Sequence, residues 1–193
     1  GRFFTGVFIH SRRYFHPNRP AWFLDPAMSG GGMFSNVGFH RLAPTSVCLS
    51  GLEPVRVSAA VMYVPEYQIE ACTSALVHYD QGGAMHYEEV GYFSRPDWWP
   101  VAHHYIFEAC MIRFEEDTLR MVQRSGAVIE EKLPLSEAGY DGVYADLVRG
   151  MRGEPIKGPG VRGFAVDTAI AQAAYTSGRR GGLEIDLRSA EWA

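Results

Sequence analysis

The sequence predicts an α+β fold with a mostly antiparallel sheet. Three observations predict it. Short runs of β-branched and aromatic residues dominate the middle of the chain, while helical spacing is confined to a few segments. The order is strand, helix, a run of strands, then helices, without βαβα alternation. Tight-turn signals such as Asp80-Gln81-Gly82-Gly83 join consecutive strands, as antiparallel neighbours require.

Residues 3–10, rich in aromatic and β-branched side chains, read as a buried strand. Residues 11–28 carry three prolines and aromatic clusters and read as a long loop. Ser29 offers an N-cap for a helix with apolar residues at Met33, Phe34, Val37, Leu42, Val47 and Leu49. Pro44 should kink or restart that helix, and Gly51 should close it. Strands follow at 54–64, 69–79 and 84–93, then an aromatic loop at 94–102. Further strands are expected at 104–114, 118–123 and 127–132, with turns at 115–117 and 125–126. Val143, Leu147, Val148 and Met151 form one stripe of a short amphipathic helix over 141–152. A loop over 153–163, a helix over 164–177 and a strand at 183–187 complete the chain.

Composition narrows the function classes. With 193 residues the chain suffices for one domain, and 47% hydrophobic against 21% charged residues is a globular balance. A net charge of −4 argues against nucleic-acid or anionic-membrane partners. No apolar run approaches a membrane span. Cys48, Cys72 and Cys110 are an odd set in apolar stretches, expected as buried free thiols of a cytoplasmic protein.

The motifs are modest. Gly30, Gly32 and Ser35 loosely mimic a dinucleotide fingerprint, but no strand precedes them, so a close-packed helix start is preferred. The seven histidines show no chelating spacing, and no nucleophile elbow is present. His40 follows Asn36 by four residues, which places an amide and an imidazole on one helix face. A histidine titrating near neutrality can take or return a hydroxyl proton.

The segment from Trp22 through Asp25-Pro26, Ser29-Gly30-Gly31-Gly32, Asn36-Val37-Gly38-Phe39-His40 and Gly51-Leu52-Glu53-Pro54-Val55 resembles the second domain of the Gfo/Idh/MocA oxidoreductases. That family is named for glucose–fructose oxidoreductase, inositol dehydrogenase and rhizopine catabolism. Its pattern there reads W, D-P, S-G-G-G, D-x-G-x-H and G-x-P-V. Ala174-Tyr175-Thr176-Ser177 and the turn at Gly181-Gly182 resemble its closing segment. The resemblance implies a two-layer domain whose large open sheet carries helices on one face and pairs with a second copy through the other. It also implies hydride transfer between NAD or NADP and a sugar, polyol or related hydroxy or keto compound. His40 would move the hydroxyl proton, and a Lys of the first domain would polarise the oxygen.

The sequence departs from the pattern where Asn36 replaces the family's Asp, where Pro44 enters the helix, and at Ala43. An amide can hydrogen-bond a hydroxyl but cannot stabilise an imidazolium by charge. The Gly-rich fingerprint of the family's N-terminal Rossmann domain is missing, and Gly1-Arg2-Phe3 sits where the resemblance puts the start of the second domain, so residues 1–193 are read as a single substrate-binding and oligomerisation domain, cut from an N-terminal Rossmann domain. NAD or NADP would serve the full-length enzyme, and this chain alone should not bind it tightly. Arg12, Trp22 and Trp98 are expected to line the sugar pocket beside His40 and Asn36. The alternative is a stand-alone, non-catalytic dimeric binding module, which Asn36 favours.

Overall fold

The computed structural model describes residues 1–11, 13–16, 18–91, 102–115, 118–133, 140–158 and 160–189. Its strands are β1 (Phe3–Ser11), β2 (Pro54–Val64), β3 (Ile69–Tyr79), β4 (Ala84–Val90), β5 (Ala102–Phe107), β6 (Cys110–Glu115), β7 (Thr118–Gln123), β8 (Val128–Lys132) and β9 (Ile185–Asp186). They form one sheet in the order β8-β7-β6-β5-β1-β4-β3-β2-β9. Only β1 and β4 pair in parallel; the other neighbours are antiparallel. The parallel pair arises because β2, β3 and β4 form a meander that returns beside β1. The turn before β4 places Gly82 and Gly83 at φ of 85° and 82°, backbone that favours glycine.

Register sorts the side chains onto two faces. Phe8 and His10 of β1 lie level with Tyr87 and Glu89 of β4. Tyr87 and Met85 lie level with Ala75 and Val77 of β3, and those with Ala59 and Val57 of β2. This face packs beneath α2 (Phe39–Cys48) and α4 (Gly160–Arg179). The core joins Phe8, Val57, Val77, Tyr87 and Tyr105 of the sheet to Leu42, Ile170 and Ala174 of the helices. Small residues let α4 approach closely: a Cβ on Gly178 would meet Val61 Cγ2 at 2.6 Å. Ser177 Oγ accepts the Ala59 amide at 2.8 Å. The family-like Ala-Tyr-x-Ser run is thus a helix–sheet contact.

Several expectations change. The strand expected over 104–114 breaks at Glu108 and Ala109 into the hairpin of β5 and β6. The turn is pinned from both sides: Glu108 N donates to Arg2 O, and Arg124 N to Ala109 O. Ser29 does not cap the long helix; it ends the short α1 (Pro26–Ser29), capped by Asp25 through the Ala27 amide at 2.9 Å. Pro44 neither breaks nor restarts α2. Its missing amide would have served the His40 carbonyl, and residue 40 is exposed, so solvent can substitute. The irregularity falls one turn earlier, as a π turn over Phe34–Gly38.

The cysteines are free but not in the core. Cys48 is exposed, and Cys72 and Cys110 are half-buried. Cys72 alternates with Ala71 and Thr73 and so points to the sheet face away from the helices. α3 (Tyr140–Met151) and α4 replace the expected helices with small boundary shifts. Among the described residues nothing covers the apolar stripe of α3: Leu147 is 58% and Met151 81% exposed. The aromatic loop over 94–102 lies outside the described residues except Ala102, as does most of the turn at 115–117. No helix among the described residues is long and apolar enough to cross a membrane.

Candidate functional site

Glu70, a carboxylate to which the sequence reading gave no role, organises the start of the α2 segment. It is 1% exposed on β3. Its Oε2 accepts the Gly32 amide at 2.5 Å. Its Oε1 accepts the amides of Phe34 and Ser35 at 2.8 and 3.3 Å and the Tyr175 hydroxyl at 2.7 Å. Helix N-termini leave amides unpaired and carry partial positive charge, so a carboxylate fits there. Burial and the charge of Glu70 push the Tyr175 hydroxyl pKa up, so it stays a donor.

The glycine run makes this contact possible. A Cβ on Gly32 would lie 2.3 Å from the Glu70 carbonyl oxygen, and one on Gly31 2.7 Å from the Tyr175 hydroxyl. The amides that a dinucleotide pyrophosphate would need are therefore already taken by Glu70. The glycine run does not fit a nucleotide, and it serves as a close-packed helix start.

The long loop after β1 is fastened to this same corner. Tyr14 is fully buried, and its amide donates to Gly91 O at 2.6 Å. It packs with Met33, Val37 and Ile69. The Arg19 guanidinium lies 4.2 Å from the Tyr14 ring centroid and 4.8 Å from that of Phe23. Trp22 stacks on Phe23 with centroids 3.9 Å apart and remains 48% exposed. Arg12 and Trp98 lie outside the described residues.

Asn36 sits within the π turn and is half-buried; His40 lies in the first turn of α2 and is exposed. Neither side chain has a hydrogen-bond partner among the described residues. The amide and imidazole expected to share one helix face are thus both without such a partner. The Glu70 clamp accepts the amide of Ser35, the residue before Asn36.

A second polar group lies between α2 and the sheet. His10 Nδ1 and Glu89 Oε2 are 2.9 Å apart. Glu89 is fully buried, and its other oxygen has no partner among the described residues. Burial pushes its carboxyl up, against the downward pull of His10 and Arg41. Arg41, the residue after His40, holds its guanidinium 5.5 Å from the centroid of Phe8, whose ring is 6.2 Å from that of His10. Further along the sheet, His103 Nε2 meets the Tyr105 hydroxyl at 2.8 Å, and that hydroxyl meets Thr45 Oγ1 at 3.0 Å. Burial, then the charges of Arg41 and His104, lower the His103 pKa to about 4, so His103 is neutral near pH 7. On the α4 side, Ser46 Oγ donates to buried Asp167, whose carboxyl burial pushes up. No cluster of three or more potential metal ligands occurs among the described residues.

The GFO/IDH/MocA C-terminal domain profile matches residues 4–100. No curated protein matches the sequence. Among solved structures, an aldose–aldose oxidoreductase from Caulobacter crescentus complexed with glycerol superposes with a TM-score of 0.76 at 18% identity, over 97% of this chain and 56% of that one. An NAD binding oxidoreductase from Klebsiella pneumoniae gives 0.78 at 15% identity, over 98% and 60%. An inositol dehydrogenase homolog complexed with NAD+ from Azotobacter vinelandii gives 0.72 at 14% identity, over 96% and 58%. At these identities the likeness establishes the fold. The chain spans little more than half the length of these proteins, 56–60%.

Proposed function

The chain belongs to the GFO/IDH/MocA C-terminal domain family, and from that premise we propose that it is the substrate-binding half of an NAD(P)-dependent oxidoreductase acting on a sugar, polyol or related hydroxy or keto compound. The observation that carries the reading is the pair Asn36 and His40, whose side chains have no hydrogen-bond partner among the described residues, beside a helix start clamped by Glu70. The nicotinamide, held outside these residues, supplies the hydride acceptor or donor when bound.

This chain's own task is the proton. The exposed His40 imidazole takes the proton of the reacting hydroxyl, or returns it in reduction. The Asn36 amide hydrogen-bonds a substrate hydroxyl and, being uncharged, leaves the imidazolium without a neighbouring carboxylate. In the same reading Arg12, Trp22 and Trp98 line the sugar pocket. The likeness to a glycerol-bound aldose–aldose oxidoreductase and an inositol dehydrogenase homolog supports this substrate class.

The same reading makes the uncovered sheet face a contact with a second copy. Met62 and Leu76 on that face are 50% and 37% exposed. Leu76→Lys should lower the mass found by sedimentation from a dimer to a monomer; an unchanged mass refutes this interface.

The test of the function is formation of NADH or NADPH by the full-length natural protein with glycerol, myo-inositol and D-xylose. Its intact mass should be roughly 35–45 kDa, a Rossmann domain more than this chain. Reduction of either cofactor supports the reading. A mass of 21.5 kDa with no reduction would favour a stand-alone binding module, the reading that the uncharged Asn36 supports.

A further inference from the structure

Positive charge is concentrated where the candidate site is built. Residues 1–52 hold five arginines, Arg2, Arg12, Arg13, Arg19 and Arg41, against one acid, Asp25, in a chain whose net charge is −4. These residues form β1, the long loop, the glycine run and α2, the elements that carry Asn36 and His40. Arg2 is answered by Glu108, and Asp25 is spent on capping α1. Among the described residues no carboxylate pairs with Arg13, Arg19 or Arg41. By contrast Arg56 pairs with Glu184, Arg113 with Glu115, Arg120 with Glu130 and Arg162 with Glu53.

Arg41 follows His40 directly on α2. Successive helix residues point about 100° apart, so the two side chains leave the helix in different directions. The Arg41 guanidinium lies 5.5 Å from the centroid of the Phe8 ring, and its Nε is buried with no acceptor among the described residues. Arg19 repeats the arrangement on Tyr14 and Phe23, and its Nε is likewise buried without an acceptor. A buried donor left unpaired costs free energy that an apolar side chain over the same ring would not. The nearby acids do not answer these two cations. Glu70 spends its oxygens on three amides and the Tyr175 hydroxyl. Glu89 is held by His10 and makes no ion pair with Arg41, and burial pushes its carboxyl up, toward the neutral form. A guanidinium stacked on a ring still presents its in-plane donors as a fork, the geometry that matches a carboxylate or a phosphate.

We propose that the substrate carries an anionic group, a carboxylate or a phosphate ester, and that the Arg41 guanidinium binds this group while His40 serves the reacting hydroxyl. This rests on the reading of the chain as the substrate-binding half of an oxidoreductase. Because residues 40 and 41 diverge, the anion sits on a carbon other than the one that gives or takes the hydride. Arg13 and Arg19 add positive charge on the loop, which draws an anion to a chain that is negative overall. The substrate class narrows accordingly, from polyols in general to sugar acids or sugar phosphates.

The test is cofactor reduction by the full-length natural protein with two matched sets: glycerol, D-glycerate and glycerol 3-phosphate, and D-glucose, D-gluconate and D-glucose 6-phosphate. In at least one set kcat/KM for the acid or the phosphate should exceed that of the neutral parent by about 10–100-fold, the worth of a charge-assisted contact. The better anion tells a carboxylate site from a phosphate site. Added salt should shrink the preference, and Arg41→Gln should bring the ratio close to one. The wild-type comparison stands even where the variant fails to fold. Neutral parents that match or beat their anions in both sets overturn the proposal and keep the oxidoreductase. An anion preference that survives Arg41→Gln overturns the role of Arg41. A raised cofactor KM alone in that variant assigns the charge to the cofactor phosphates and likewise removes the proposal. Calorimetry on the same samples separates the two ideas: Arg41-dependent binding of an anion without reduction keeps the anion site and removes the oxidoreductase, and binding of no anion removes the site.

Discussion

The two halves of the sheet are finished differently. In the half built from β1 to β4, side chains facing the helices are buried, and Glu70 accepts four hydrogen bonds. In the far half, every residue of β8 is exposed, as are Met111 of β6 and the stripe of α3. The near half is a core closed by its own chain, and it holds Asn36 and His40 in place. Among the described residues the far half and α3 remain apolar surfaces without such a cover. Stability should therefore be concentrated in one half.

The largest stability effect is expected at Glu70. Glu70→Ala would leave three amides and the Tyr175 hydroxyl buried without their acceptor. Breaking a buried charged network from one side costs about 3–5 kcal/mol. Denaturant unfolding should show that loss, with Glu70→Gln losing less; an unchanged midpoint would show that the clamp is not what fastens the helix. A smaller effect is expected from His103. Its pKa is lowered to about 4 in the fold, against about 6.5 for a free imidazole. The unfolded chain therefore binds the proton first as pH falls. The stability of the neutral, folded histidine is full above pH ~6.5 and is lost between ~6.5 and ~4, by of order 1–2 kcal/mol after allowance for solvent screening. His103→Gln should flatten that part of the stability–pH curve, and an identical slope would contradict the buried neutral state. The smallest effect belongs to the far region. Leu147→Ser on α3 should change unfolding of the isolated chain by no more than about 0.5 kcal/mol. A loss of several kcal/mol would mean that α3 is packed within the chain.

These contrasts also explain what was legible in the sequence. The strands of the meander were legible because Val57, Ala59, Ala75, Val77, Met85 and Tyr87 follow a period of two, with the glycine turn at Gly82 and Gly83 between β3 and β4. The break at Glu108 and Ala109 was not, because backbone bonds from distant Arg2 and Arg124 hold it. Pro44 misled because the rule against proline inside helices concerns a lost bond, and here the orphaned carbonyl lies on an exposed turn. The glycine run was legible as a close-packed start but not its partner, since Glu70 lies 38 residues away from Gly32. Glu89 carried a signal that went unread. An acid in phase with buried Met85 and Tyr87 must be paired or functional, and its partner His10 is in phase with buried Phe8. The resemblance pointed to His40 and Asn36, residues that spacing alone left as an ordinary helical pair.

The most direct test of the central claim is the turnover of His40→Asn in the full-length protein, with whichever polyol reduces the cofactor. His40 has no hydrogen-bond partner among the described residues, so its loss should not disturb the fold. The account predicts kcat lower by ~10²–10⁴-fold, the scale of general acid–base catalysis, with the melting temperature within a few degrees of wild type. A kcat equal to that of the wild type would contradict it.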